Sequence, residues 1–185
     1  MSIAPLSPAD VIAKLGQCGS AKFASFTHVA KSNGEIARHT VILHADYGKV
    51  LDASLAQAME MLPTLAGVDA LACQEVIDSL NNSISCRMLE IQNPDYTCKD
   101  VYVHPMGLDG VRVHKDTGEI YIDVLTQNKV VLQAGTERKP VKSSDKTIAK
   151  RKISSQLRQS KYRTFALNGI GAIKMDGETL IVEMA

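Results

Sequence analysis

KFASFTHVAKSNGEIARHTVILHADYG, residues 22–48, sets two strand-like runs on either side of Asn33-Gly34. Asn-Gly is the dipeptide best suited to the positive φ angles of a type I′ turn, so the stretch predicts a β-hairpin. If Ser32 pairs with Glu35 across a two-residue turn, His28 faces His39, Phe26 faces Val41 and Ala24 faces Leu43. Those pairs make one mostly apolar face.

Beyond the hairpin the period of the apolar residues changes from two to between three and four. KVLDASLAQAMEMLPTLAG carries Val50, Leu51, Leu55, Met59 and Leu62; DALACQEVIDSLNNSISCRMLE carries Leu71, Val76, Ile77, Leu80 and Ile84. Two amphipathic helices separated near Pro63 and Gly67 are expected. Helical periodicity stops at QNPDYTCKD, residues 92–100, which reads as a linker. After it, GVRVHKDTGEIYIDVL alternates around Asp116-Thr117-Gly118, where a two-residue and a three-residue loop give different registers, and QNKVVLQAG offers a further strand. At the end, GIGAIKMDGETLIVEMA predicts a hairpin turning at Asp176-Gly177, with Ile173 opposite Leu180 and Gly171 opposite Val182. The fold class expected is α+β: an N-terminal β-hairpin plus two amphipathic helices, then a β-rich C-terminal domain with one basic helix. The expected division is an assembly domain over 1–95 and a DNA-binding domain over 96–185.

The chain has 185 residues, 45% hydrophobic and 22% charged, which suits a globular protein. No run approaches the roughly 18 apolar residues of a membrane span, and MSIAPLSPADVIAKLG has Asp10 and two prolines where a signal peptide needs a basic start and an apolar run. A cytoplasmic, nucleoid-associated protein is expected. Cys18, Cys73, Cys86 and Cys98 form no CxxC pair and read as free thiols. The net charge of +1 hides an asymmetry: residues 1–100 carry seven Lys/Arg and eleven Asp/Glu, whereas residues 101–185 carry fourteen and nine. An acidic partner for the second half follows.

The positive charge concentrates in RKPVKSSDKTIAKRKISSQLRQSKYRTF, residues 138–165, where ten Lys and Arg meet the single acid Asp145. Pro140 precedes Ser143-Ser144-Asp145, an N-cap with an acid in the first turn, so a helix is predicted over about 144–160. Its wheel puts Ala149, Ile153 and Leu157 on one side, packed on the strands. The opposite arc collects Thr147, Lys150, Arg151, Ser154, Ser155 and Arg158, with Lys152 near Ile148 and off that arc. Solvated helix faces mix signs, because i,i+4 acid–base pairs stabilise and like charges repel. A face of hydroxyls and cations alone points to a polyanion, and nucleic-acid phosphate is the commonest one. Lys142, Ser144, Lys146, Thr147, Lys150, Arg151, Ser154, Ser155, Arg158, Lys161 and Arg163 are the candidate DNA-binding residues. Arg151 and Arg158 suit bidentate contact to guanine. With Tyr162 and Phe165 the only local aromatics, duplex DNA fits better than stacked single strands. The alternatives are a solvated basic face and a face docked on the acidic N-terminal half.

KSNGEIARHTVIL together with SSDKTIAKRKISSQLRQSKYRTFAL resembles small bacteriophage and phage-satellite DNA-binding proteins, whose modules also occur fused to phage homing endonucleases. The resemblance implies a stand-alone repressor and carries over no individual residue.

Other chemistries find less support. His28 and His39 make only two metal ligands, with His44 on the opposite face of its strand from His39. Pro94-Asp95 and Glu137-Arg138-Lys139 have the letters of a Mg²⁺-dependent nuclease, but the spacing is long and the second triplet runs into Pro140. Neither GxxxxGK[ST], GxSxG nor HExxH occurs. The expectation is therefore a non-enzymatic double-stranded DNA-binding regulator, without cofactor or metal. It binds as a homodimer through Leu51, Leu55, Met59, Met61, Leu62 and Leu71 of the N-terminal half. A small nuclease and a protein-interaction module are the alternatives.

Overall fold

In the computed structural model, residues 5–17, 22–43, 47–93, 102–103, 110–175 and 177–181 are described. The first hairpin is present, as β1 (Lys22–Val29) and β2 (Ile36–Leu43), but its turn is longer than Asn-Gly alone predicts. Ala30 and Glu35 close it: the Ala30 N–H donates to the Glu35 carbonyl at 2.8 Å, and the Gly34 N–H donates to the Ala30 carbonyl at 2.8 Å. Lys31 to Gly34 form the loop, with Gly34 at φ 74° taking the left-handed position that ends it. The Asn33 side chain accepts the Glu35 N–H at 3.1 Å. The register is consequently Ala24↔Val41, Phe26↔His39 and His28↔Ala37, two residues away from the expected pairing. A shift of two preserves side-chain parity, so the anticipated residues still share one face. Phe26, Ala37, His39, Val41 and Leu43 are all buried there.

The hairpin of β4 (Val111–His114) and β5 (Ile120–Gln133) uses the same device rather than either expected loop. The Gly118 N–H donates to the His114 carbonyl, the His114 N–H donates to the Glu119 carbonyl, both at 2.9 Å, and Gly118 has φ 68°. Its return strand absorbs the further strand expected at QNKVVLQAG into one 14-residue element. The last hairpin, β7 (Ile170–Met175) with β8 (Glu178–Ile181), has Ile173 opposite Leu180 as expected. Val182 and Asp176 lie outside the described residues.

With β3 (Tyr102–Val103) and β6 (Tyr162–Ala166), these strands form an eight-stranded sheet in the order β3-β4-β5-β2-β1-β7-β8, with β6 also on β5. The N-terminal hairpin is thus central, flanked by strands from the second half of the chain. The division at 95/96 is therefore not the one the fold uses. One unit takes residues 1–46, 101–138 and 163–185; the other takes 47–100 and 139–162. A central strand needs partners on both edges, and β1 and β2 find theirs only beyond residue 120. The expected linker falls almost wholly on residues outside those described.

The N-terminal segment, where no helix was expected, supplies α1 (Pro8–Gln17). Ser7 caps it, accepting the Asp10 N–H on its hydroxyl at 3.3 Å, and Pro8 fits the first turn. Val11 and Leu15 bury against Phe26, Val41, Ile122, Val124, Phe165 and Ile173 in the core of the sheet unit.

The second unit is helical. The two expected helices are α2 (Tyr47–Met61) and α3 (Gly67–Gln92), joined through a 3-10 turn, Leu62–Thr64, that contains Pro63. The basic helix is α4 (Asp145–Gln156), followed by a 3-10 turn, Arg158–Lys161. Ala149, Ile153 and Leu157 are buried, as the wheel requires, but against Leu51, Ala58, Ala72, Cys73, Val76, Ile77 and Leu80 of α2 and α3. The expectation that this side packs on the strands is overturned. Three alanines at the meeting of the helices permit close approach, and a stripe of period 3.6 matches another helix as readily as a sheet.

Candidate nucleic-acid interface

Local chemistry starts α4 where the sequence places it. Ser144 is the N-cap, with φ −64° and ψ 156°, and its hydroxyl accepts the Thr147 N–H at 3.3 Å and shares a 2.9 Å hydrogen bond with the Thr147 hydroxyl. Asp145 lies in the first turn, where its charge complements the helix dipole. Where α4 ends is settled by its neighbours. Leu157 turns extended at ψ 154°, and the next two backbone donors leave the helix: the Arg158 N–H goes to Gln57 Oε1 and the Gln159 N–H to Ser54 Oγ, each at 2.8 Å. Ser155 Oγ and Gln156 Nε2 meanwhile donate to the Lys152 carbonyl, at 2.7 and 3.3 Å. Side chains thus replace the helical partners of the last turn. The expected helix over 144–160 is therefore shorter, and Arg158 sits on a separate turn rather than on the stripe with Arg151.

Lys142, Ser144, Lys146, Thr147, Lys150, Arg151, Ser155, Arg158 and Lys161 are exposed and Ser154 is half-buried, all in the helical unit. Arg163 is exposed too, but on β6 of the sheet unit. Lys152, placed off the arc, is equally exposed, beside an Ile148 that is 54% exposed.

Among the described residues, one acid from another helix reaches the basic face. Glu75 on α3 pairs with Lys146 at 2.5 Å and with Lys150 at 3.6 Å. Its hydrogen bond from Lys146 is the main cause holding its carboxyl below the usual range, with the Lys146 and Lys150 charges adding to it. This is the docking anticipated as an alternative, restricted to two lysines. Lys142, Arg151, Lys152, Arg158, Lys161 and Arg163 make no ion pair among the described residues. Arg151 instead donates to Ser143 Oγ at 3.2 Å, which orients its guanidinium along the N-terminal turn. Nothing local marked Glu75 in the sequence, where it reads as an ordinary solvated acid of an amphipathic helix.

Tyr47 and Tyr162 stack with centroids 4.5 Å apart, and the Arg87 guanidinium lies 5.7 Å from the Tyr47 ring centre. Tyr162 is therefore engaged with α2.

His28 and His39 lie diagonally on the sheet's core face, ring centroids 6.4 Å apart, each against Phe165. Among the described residues no three His, Cys, Asp or Glu gather as a metal site, and His44 lies outside them. Asp95 is also outside, while Glu137, Arg138 and Lys139 are exposed in a segment without regular structure. Arg138 there donates to Ser32 Oγ on the first hairpin loop. Cys73 and Cys86 are free thiols; Cys73 is buried, donates to the Ala58 carbonyl at 3.4 Å, and has its pKa raised by that burial. Of the residues expected to assemble a dimer, Leu51 closes the helical core and Leu55, Met61 and Leu62 are half-buried. Met59 and Leu71 remain 58% and 63% exposed, with Val68 at 45%. No helix among the described residues is long and apolar enough to cross a membrane.

Against known proteins, no family model, no curated protein and no solved structure matches the chain.

Proposed function

We propose that the protein is a non-enzymatic regulator that binds double-stranded DNA through α4 and acts as a repressor for a phage or mobile element. The carrying observation is the exposed face of α4 and its flanks, on which Lys142, Arg151, Lys152, Arg158 and Lys161 stand without an acidic partner among the described residues. Self-repulsion of this kind is relieved by a polyanion, and the hydrogen-bonded Ser144–Thr147 pair leaves one hydroxyl proton for a phosphate oxygen. Arg151 is the residue for base-edge contact, and Met59, Val68 and Leu71 supply the apolar surface for a homodimer. A second reading, a module that binds an acidic protein, is favoured by the Glu75 pairing, in which two lysines of α4 already take a carboxylate.

The test is the salt dependence of binding to a duplex. About five phosphate contacts give a slope of log K against log salt near −5, at roughly −0.9 per contact. Binding to duplex that is indifferent to salt between about 50 and 200 mM removes the phosphate argument. Tight binding to acidic peptide with none to duplex selects the second reading.

A further inference from the structure

We propose that Glu75 is a built-in counter-anion that restrains the phosphate affinity of α4, an inference that rests on the DNA-binding reading above. Lys146 and Lys150 are one helical turn apart on the same side of α4, and one carboxylate spans both, Oε1 to Lys146 at 2.5 Å and Oε2 to Lys150 at 3.6 Å. The placement of Glu75 does not depend on the ion pairs. Its neighbours Cys73, Val76 and Ile77 on α3 are buried with Ala149 and Ile153 of α4 in one core, which holds the two helices together. The carboxylate is thereby delivered to the edge of the basic face by packing. Asp78, the next acid along α3, instead accepts from Gln74 Nε2 at 3.0 Å.

The consequence follows from how cations bind nucleic acid. Affinity comes from releasing counterions condensed on phosphate, one contact at a time. A lysine already neutralised by a carboxylate contributes only when that pair opens, and the freed carboxylate then stands close to the incoming phosphate. Both lysines keep about half of their side-chain surface in water, so a phosphate can reach them. Arg151 and Lys152 carry no such burden. Glu75 thus lowers the sequence-independent part of the affinity while leaving Arg151 available.

The experiment compares wild type, Glu75→Gln and Glu75→Asp on a random duplex by fluorescence anisotropy across a salt series. Glu75→Gln is expected to bind about three- to tenfold more tightly near 100 mM salt, with a slope steeper by about one for each lysine released. Glu75→Asp, which keeps the charge on a shorter arm, should fall between. Adding Lys146→Gln to Glu75→Gln should remove the share of the gain that Lys146 supplies, and adding Lys150→Gln as well should remove the rest. An exposed ion pair contributes little to stability, so the melting temperature should stay close to that of wild type. Equal affinities and slopes for wild type and Glu75→Gln overturn the restraint while leaving DNA binding intact. Absence of duplex binding by all of these proteins overturns the DNA-binding reading, and the restraint with it.

Discussion

At the scale of single residues, the fold opposes the ionisation of His39. It is 3% exposed, ringed by Phe26, His28 and Phe165, and its Nδ1 has no hydrogen-bond partner among the described residues. Burial, then the charges of His28, Lys129 and Arg163, hold its pKa down to about 4, against a smaller opposing pull from Glu35. A folded-state value below the unfolded 6.5 means that the neutral ring is the native form. The associated stability is complete above about pH 6.5 and is lost as pH falls toward about 4, by up to roughly 1.4 kcal/mol per pH unit for one proton. Urea unfolding of wild type and His39→Leu between about pH 7 and pH 4.5 checks this, with a shallower acid loss expected in the variant. Identical pH dependence would absolve His39. This residue was legible as inward-facing from the alternation of residues 36–43, since parity survives the register shift. Its lack of a partner was not, because that depends on Phe165, brought alongside by a strand far away in sequence.

At the scale of elements, α4 shows where local rules suffice and where they stop. Ser144 and Asp145 specify its start within one turn, and the helix begins there. Its end is decided by Ser54 and Gln57 of α2, which capture the donors of Gln159 and Arg158. Arg151 therefore stands on α4 and Arg158 on the turn that follows it, and the proposed DNA binding gives them different expected effects. Arg151→Ala is expected to weaken binding to a selected site by about 1 to 3 kcal/mol more than binding to random duplex, as a lost base contact does. Arg158→Ala should weaken both to the same extent, as a lost phosphate contact does. Titration of both variants against the two duplexes checks the assignment, and reversed behaviour would return Arg158 to the reading position. Hairpin loops obey the same division. Asn33-Gly34 and Thr117-Gly118 announce turns, yet each loop is two residues longer than its Gly-containing dipeptide, and Thr136, whose N–H donates to the Asn33 carbonyl at 2.9 Å, braces the first.

At the scale of the whole molecule, Met59, Val68 and Leu71 are exposed on the helical unit, and the proposed homodimer would use them. Light scattering should report a dimer for the intact chain and a monomer for Met59→Lys/Leu71→Lys, with far-UV circular dichroism unchanged; a monomeric wild type would end the dimer reading. The intact chain is needed, because a fragment beginning near residue 99 lacks β1 and β2 at the centre of the sheet and both helices against which α4 packs. What the sequence determined by itself was of short range: the α+β class, the positions of the glycine turns, the buried side of α4, its cap and the predominantly positive charge around it. Each of those follows from steric and hydrogen-bonding preferences within a few residues. Only the tertiary structure decided the hairpin register, the helical partner of α4, the interleaving of the two units and the reach of Glu75 to Lys146 and Lys150. Apolar stripes specify that a face must be buried, whereas the surface that buries it is chosen by the whole chain competing for the same contacts.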